Sequence, residues 1–360
     1  MNELERVSPI VTFPRVGLLL ALLWLFVPAI SAQQESPAAR AVNGKIYLDV
    51  VVTAKSGPPV TGLQQKDFTV LDNKAPQTID TFKALGGSQA PIEVILVVDE
   101  VNADFRVVGF ERDQIAKYLG GDGGRLAFPT ALSFFSDTGV EVQPDFSKDG
   151  NALTSSLDQH TAALRTVRRS AGFYGAAERY QLSLKALEML LVHEAPRPGR
   201  KIIMWISPGW PLLSGPNVDM SSKQQEQVFE NIVKLSDQLR AASMTLYNID
   251  PLGVADIGVR TSYYKDFVKG VSEPRQVQAA DLGLQVLATQ TGGLVLNAAN
   301  DLTAELQQCI ADAQAYYEIS FDPPLSDKVN EYHHIEIRVG DKKLTARTRQ
   351  GYYAQPPNHN

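Results

Sequence analysis

The stretch that most constrains the fold is Ile92–Asp99, an apolar run that is rich in β-branched residues and ends on a carboxylate. Glu93 is the only charged residue before Asp99, which is typical of a strand buried on both faces in a parallel sheet. Residues 100–109 are polar and turn-like, and residues 110–119 have the pattern of a helix. Because open α/β sheets bind ligands where a strand ends and a loop leads into a helix, this stretch predicts both the sheet and the position of a site.

Strand and helix patterns alternate after this central strand. Helices are predicted at 174–192 and 224–241, where apolar residues recur every three to four positions, and buried strands at 202–206 and 244–249. Asp301 offers an N-cap for a further helix that ends near residue 314. Such alternation favours a parallel sheet covered by helices.

Both ends of this region are flanked by β patterns. Residues 46–52 alternate with a period of two, and short strands are predicted at 68–71 and 78–82. Beyond the α/β region, 334–339 and 343–347 predict a hairpin around a Gly-Asp-Lys turn. A meander of about 40 residues is too small to form a core alone, so the two ends are predicted to form one small β-sandwich-like domain.

The first residues have the pattern of a secretory leader. Arg6 and Arg15 precede the uncharged apolar run Val16–Ile30, and small residues follow it up to Ala32. The run is shorter than the ~20 residues that a membrane-spanning helix needs. We therefore predict a signal peptide over 1–32 and export, either periplasmic or extracellular, with an uncleaved anchor as the alternative. No later segment is predicted to cross a membrane.

Composition is that of an ordinary globular protein and argues against nucleic acid as a partner. Hydrophobic residues make up 44% of the chain, charged residues 21%, and the formal net charge is -6. The basic trio Arg165, Arg168 and Arg169 is interpreted as a solvated face. The single cysteine, Cys309, excludes an intrachain disulfide and lies in an apolar helical stripe, which predicts a buried thiol.

These patterns divide the chain into six segments. They are a signal peptide (1–32), a linker (33–44), an N-terminal β meander (45–88), an α/β domain (89–314), C-terminal strands that pack with the meander (315–353) and a tail (354–360).

Several motifs resemble one known family. They are the flanking runs 60–63 (VTGL), 67–72 (DFTVLD) and 346–353 (ARTRQGYY), together with Asp99 at the end of its strand and the strand break at 207–209. The combination is similar to the acidobacterial VWFA-related family, and it extends over nearly all of the chain after the linker. The resemblance implies a Rossmann-like von Willebrand factor A domain inserted in the β-sandwich-like domain, and adhesion or protein binding rather than catalysis.

Complete A domains hold a divalent cation through an Asp-x-Ser-x-Ser motif, a Thr and a second Asp, since Mg²⁺ prefers hard oxygen ligands. Here Asp99 matches, but Val101 and Ala103 occupy the two Ser positions, Pro208 stands for the second Asp, and none of residues 172–174 is Thr. One carboxylate is a poor Mg²⁺ site, so we expect a degenerate site and no resident cofactor. The alternative is Mg²⁺ held with substitute oxygens, by Asp99, Asn102, Asp104 and Ser207.

Aromatic and apolar residues near the same end of the sheet predict an interaction surface. Trp210 and Leu212 follow the 202–206 strand, and a long polar insertion contains Tyr263 and Tyr264. Exposed aromatic residues favour protein contacts, and insertions of this length are often functional. We predict that these four residues form an interaction rim, with Trp210 packed back onto the sheet as an equal alternative.

The leading hypothesis is an exported, non-enzymatic binding protein that contacts a protein or surface ligand through this rim. A hydrolase that uses Asp99 and Ser207 is the alternative, although 207–209 does not form a G-x-S-x-G elbow and no acid–base–nucleophile set is assembled. A structural scaffold of an envelope complex is a third reading.

Overall fold

The computed structural model describes residues 44–54, 57–86, 91–160, 172–213, 220–253, 263–297 and 301–356. The predicted signal peptide, nearly all of the linker and the Arg165–Arg169 trio lie outside the described residues. Within them the fold is mixed α/β, with three sheets and six α-helices.

Strands lie at both ends of the described chain, and helices and strands alternate between them. The chain begins with four strands, β1 (Ile46–Ala54), β2 (Phe68–Asp72), β3 (Ala75–Gln77) and β4 (Thr81–Gly86). The α/β region contains β5 (Ile92–Asp99), α1 (Phe105–Leu119), β6 (Arg125–Ser136), β7 (Gly139–Val142), β8 (Ser147–Asp149), α2 (Gly150–Gln159), α3 (Gly172–Glu194), β9 (Arg200–Ile206), α4 (Ser222–Ala241), β10 (Met244–Ile249), α5 (Leu284–Gln290), β11 (Val295–Leu296) and α6 (Leu302–Gln314). The last strands are β12 (Ala315–Phe321), β13 (Glu331–Val339), β14 (Leu344–Arg347) and β15 (Gly351–Ala354).

Strand β5 lies in the middle of the largest sheet. The strand order is β11-β10-β9-β5-β6-β7, with β8 against β6, and β5 is parallel to both neighbours, β9 and β6. All of its residues are buried except Glu93, which is half-buried, because helices cover both faces. The carboxyl ends of β5, β6, β9 and β10 therefore meet at one edge of the sheet, and Asp99 lies at that edge.

Two four-stranded sheets are built from both ends of the described chain. Their orders are β14-β1-β12-β4 and β15-β13-β2-β3. Strand β1 is antiparallel to β12, with Ile46 opposite Phe321, and β2 is antiparallel to β13, with Val70 opposite Ile337. The inner faces of the two sheets share one apolar core, which includes Leu48, Val50, Val70, Tyr317, Ile319 and Tyr352. Each sheet is thus completed only when residues far apart in sequence meet.

The prediction of a hairpin formed by 334–339 and 343–347 is wrong. Strand β13 pairs with β2 and β15, whereas β14 pairs with β1 in the other sheet. The turn between them carries the chain from one layer to the facing layer. An alternating pattern is the same in both arrangements, since it reports only that one face of each strand is buried.

Helix α6 contains the single cysteine and packs against the central sheet. Cys309 is fully buried, and burial raises the pKa of its thiol well above the usual value, in keeping with the predicted inert thiol. Within the described residues, no helix is both long enough and apolar enough to cross a membrane.

A buried polar cluster joins the β strands to the α/β region. Arg347 of β14 donates to the carbonyl of Gly292 and forms an ion pair with Asp312 of α6. The Asp312 carboxylate also accepts a hydrogen bond from Tyr247 of β10 at 2.8 Å, and its carbonyl accepts one from Arg200 of β9 at 3.2 Å. Removal of one partner would leave a buried charge uncompensated. We therefore expect the loss of Arg347 or Asp312 to destabilise the contact between the β strands and the α/β region.

We expect Arg347→Met to lower the free energy of unfolding by about 3 kcal/mol, because Asp312 loses its charged partner while remaining buried. Urea unfolding followed by tryptophan fluorescence measures the change. Arg338→Met is the matched control, since it removes an ion pair to Glu336 on the exposed face of β13 and is expected to leave the midpoint unchanged. Equal midpoints for the two variants would contradict the structural role of Arg347.

Candidate functional site

The carboxylate of Asp99 is fully buried, and both of its oxygens accept hydrogen bonds. Oδ1 accepts from the backbone N–H groups of Val101 at 3.0 Å and Asn102 at 2.8 Å. Oδ2 accepts from Asn102 Nδ2 at 2.9 Å and from Trp205 Nε1 at 3.0 Å. Burial raises the pKa of Asp99, and hydrogen bonds from Asn102, Trp205 and Ser207 act in the opposite direction. The side chain therefore shapes the loop that follows β5, as Asp does in an Asx-turn.

Asn102 connects this loop to helix α3. Its Nδ2 also donates to Ser183 Oγ at 2.9 Å, and the Ser183 hydroxyl donates to the carbonyl of Arg179 at 2.8 Å. The Asn102 Oδ1 atom is buried and has no hydrogen-bond partner among the described residues. The Asp99 loop is thus held against the middle of α3.

Asp104 caps helix α1. Its Oδ1 accepts from the backbone N–H groups of Arg106 at 2.9 Å and Val107 at 3.0 Å. The helix begins at Phe105, five residues before the start that the sequence predicts, because this cap stabilises a first turn that has no apolar periodicity.

Ser207 directly follows β9 and is fully buried. Its Oγ accepts from the N–H of Gly209 at 3.2 Å, and its carbonyl accepts from Asn248 Nδ2 at 2.8 Å. Gly209 has φ +97°, a left-handed conformation that a residue with a Cβ adopts only with strain. This turn reverses the chain at the edge of the sheet and directs Trp210 inward.

Of the residues of the alternative Mg²⁺ site, Asp99, Asn102 and Ser207 lie close together in space, but most of their oxygens are already engaged in hydrogen bonds. Both oxygens of Asp99 accept hydrogen bonds, Asp104 caps α1, and Ser207 accepts from a backbone amide. Among the described residues, no group of three or more His, Cys, Asp or Glu side chains is arranged to hold a metal. The one unpartnered oxygen, on Asn102, does not make the six-oxygen shell that Mg²⁺ requires, so the donor set does not fit this ion.

The four residues of the predicted interaction rim differ in exposure. Trp210 is only 2% exposed and packs edge-on against Trp205, with ring centroids 5.3 Å apart, so the alternative in which it packs back onto the sheet is the one that the structure has. Leu212 is half-buried. Tyr263 and Tyr264 are half-buried in a 3₁₀ turn, with ring centroids 6.3 Å apart.

More exposed aromatic side chains lie at the same end of the sheet, at positions that the sequence analysis did not select. Phe105, the first residue of α1, is 73% exposed, and Phe173 and Tyr174, in the first turn of α3, are 43% and 84% exposed. The Asp99 loop meets α3 at Ser183, nine residues after Tyr174, so the start of α3 extends about 14 Å beyond that loop. Tyr174 lies off the apolar stripe of α3, which is the sequence signal that identifies it. We call Phe105, Phe173 and Tyr174 the aromatic rim.

The insertion that follows β10 supports this projecting part of α3. Tyr180 donates to the carbonyl of Ala279 at 2.9 Å. Asp281 accepts from the N–H of Gln278 at 2.7 Å, which caps a 3₁₀ turn at Ala279–Leu282. Burial raises the pKa of Asp281 to about 6.

No protein-family model matches the sequence, and no curated protein matches it significantly. Similar solved structures include proximal thread matrix protein 1 from the mussel byssus (10% identity, 67% of this chain and 51% of that chain, TM-score 0.36). They also include the PilB minor pilin from Streptococcus sanguinis (12%, 63% and 62%, 0.36) and BatB from Bacteroides thetaiotaomicron (10%, 62% and 97%, 0.32). The chain spans about half the length of the first of these proteins. With TM-scores below 0.5, these likenesses carry no conclusion about what the chain does.

We expect Asp99→Asn to lower the free energy of unfolding by about 2–3 kcal/mol. The NH₂ group of asparagine cannot accept a hydrogen bond, so the N–H groups that donate to one carboxylate oxygen of Asp99 would be left buried and unpaired. Thermal or urea unfolding measures the loss. Asp104→Asn is the control and is expected to keep wild-type stability, because Asn caps helices as well as Asp does. Equal stability of the two variants would show that the hydrogen bonds to Asp99 do not hold the loop.

The raised pKa of Asp281 predicts a pH-dependent stability. The folded protein favours the protonated carboxyl, so the contribution of this group is complete below its ordinary pKa of 3.8 and is lost as pH rises through about 6. Relative to Asp281→Asn, the wild type should therefore lose about 2–3 kcal/mol between about pH 4 and about pH 7. Urea unfolding of both proteins across this range measures the difference, and parallel curves would contradict it.

Proposed function

We propose that this chain is an exported binding protein that contacts a protein or surface ligand with its aromatic rim. In this proposal the α/β region is a degenerate von Willebrand factor A domain, inserted in a β-sandwich made by both ends of the chain. The observation that carries the proposal is the exposure of Phe105 and Tyr174 at the carboxyl ends of the parallel strands. Soluble proteins that leave large aromatic side chains in water at a ligand-binding edge commonly bury them against a partner.

The part of the rim that contains Phe105 is also held in place before any partner binds. Phe105 follows a helix cap at Asp104, and the preceding loop is held by the hydrogen bonds to Asp99. A surface that is already ordered loses little conformational entropy on association, so more of the contact energy appears as affinity. This supports recognition by a preformed surface.

We propose a binding role rather than catalysis for this edge. The oxygens of Asp99 are engaged in hydrogen bonds, and the hydroxyl of Ser207 accepts from Gly209. A serine nucleophile needs a neighbouring base, and no histidine is a hydrogen-bond partner of Ser207 or Asp99 among the described residues. The net charge of -6 supports a partner other than nucleic acid.

The export part of the proposal depends on the leader pattern in residues 1–32, which lie outside the described residues. A basic start, a short apolar core and small residues near Ala32 form the pattern that secretion machinery reads. The absence of disulfides is compatible with export because the two core layers of the α/β region and the β-sandwich core are extensive.

Site-specific photo-crosslinking in cells that produce the full chain tests the proposal. A photoreactive p-benzoylphenylalanine replaces Phe105 or Tyr174, and we expect each position to give a discrete adduct with a partner. Tyr174→Ser, combined with the probe at position 105, is expected to weaken partner binding about 30-fold, since a central aromatic contact contributes about 2 kcal/mol.

Val192 and Leu325 are the matched control positions. They are 72% and 82% exposed, as apolar and as accessible as the rim, but lie at the other end of α3 and in the segment after β12. We expect no discrete adduct from them. Adducts of equal yield at all four positions, or at the control positions alone, would overturn the proposed rim.

A further inference from the structure

A small polar cavity lies where the β-sandwich meets the α/β region. Its volume is about 10 Å³, which is room for one occupant of about the size of a water molecule. Its walls are almost entirely polar, and they include Asp49, Arg240, Thr245, Thr291, Thr348 and Arg349. Asp49 belongs to β1 and Thr245 to β10, so an occupant would contact both layers.

Two arginine residues line this cavity. Arg349 is only 8% exposed, and its guanidinium has no hydrogen bond and no carboxylate within 4.0 Å among the described residues. Arg240 has a longer ion pair to Asp237 at 3.3 Å, and its Nε atom is buried without a hydrogen-bond partner in the described chain. A buried charge without a partner is costly, so this arrangement favours a negative occupant.

The hydroxyl groups around the cavity add donors. Thr348 is 7% exposed, and its Oγ1 is buried and has no hydrogen-bond partner among the described residues. The hydroxyl of Thr291 already donates to the carbonyl of Ala288 at 3.0 Å and accepts from the N–H of Leu246 at 3.0 Å. Thr348 therefore has a hydroxyl that is available to an occupant.

Two carboxylates, Asp49 and Asp237, lie near three guanidinium groups, so they do not balance all of the positive charge. Asp49 lies on the wall and is 3.7 Å from Arg200, the third guanidinium. Asp237 is shared with Arg240. Burial and the charge of Arg240 lower the pKa of Arg349 to about 10, while Asp49 and Asp237 act in the opposite direction. Arg349 therefore stays charged at neutral pH, at a cost that a bound anion would relieve.

We propose that this cavity binds one small inorganic anion of the chloride type, held by Arg349, Arg240 and Thr348, and that the anion joins the β-sandwich to the α/β region. A volume of about 10 Å³ suits a monatomic anion better than a polyatomic anion such as phosphate. Two guanidinium donors favour an anion over a neutral water molecule in a site with little solvent.

Thermal unfolding of the full chain in sodium chloride and in sodium gluconate at equal ionic strength tests the proposal. Chloride binding to the folded state is expected to raise the melting temperature by about 2–4 °C at 0.5 M relative to gluconate. Arg349→Gln and the shape-preserving Thr348→Val are expected to lose most of this difference, whereas Arg338→Gln on the exposed face of β13 keeps it. General effects of the two salts act equally on all four proteins.

A crystal grown or soaked in sodium bromide gives an independent readout, since bromide is an analogue of chloride with a strong anomalous signal. An anomalous peak between Arg349 and Arg240 is the expected result. A water molecule at that position without anomalous signal, or a Thr348→Val variant that responds to chloride as the wild type does, would overturn the proposal. Because Thr348→Val preserves volume, the test does not depend on whether Arg349→Gln folds.

Discussion

The rest of the candidate site depends on the buried carboxylate of Asp99. The central strand brings this group to the edge of the sheet without exposing it, and a buried carboxylate is tolerated only when its oxygens are satisfied. Two donors come from the backbone of the next loop, one from Asn102 and one from Trp205 on the neighbouring strand. Asn102 extends the network to Ser183 of α3. One side chain therefore holds a loop, a strand and a helix in a fixed relation.

The sequence predicts those parts of the fold whose signals are local. Strand β5 is an apolar run that only Glu93 interrupts, and α6 has a cap at Asp301 followed by an apolar stripe, so both were predictable within a few residues. The turn at 340–343 was not, because two alternating strands have the same pattern in one sheet or in two facing sheets. The position of Trp210 depends on the ring of Trp205, a tertiary contact that periodicity does not encode.

The C-terminal motif that resembles the VWFA-related family has a structural role in this chain. Arg347 pairs with Asp312, and Tyr352 donates to the buried Asp72 at 2.5 Å. Tyr353 donates to the carbonyl of Val271 at 3.0 Å, on the insertion that lies against α3. Thus the last strands are bonded to the first strands, to the central sheet and to the insertion near the rim. A motif of this kind identifies the way in which the chain closes on itself, and it carries no information about the ligand.

The candidate site therefore recognises a partner, in our proposal, by shape and apolar contact. An A domain with an open cation gains affinity from a carboxylate of its partner, which makes binding sensitive to the metal. In this chain the carboxylate of Asp99 is engaged in internal hydrogen bonds, and the exposed aromatic groups at this edge lie at the starts of two helices. Energy from aromatic burial is short-ranged and depends on close fit. Specificity then rests on where Phe105 and Tyr174 lie at this edge. The network around Asp99 matters, although that residue is not itself exposed, because it holds the loop that leads to Phe105 and joins it to α3.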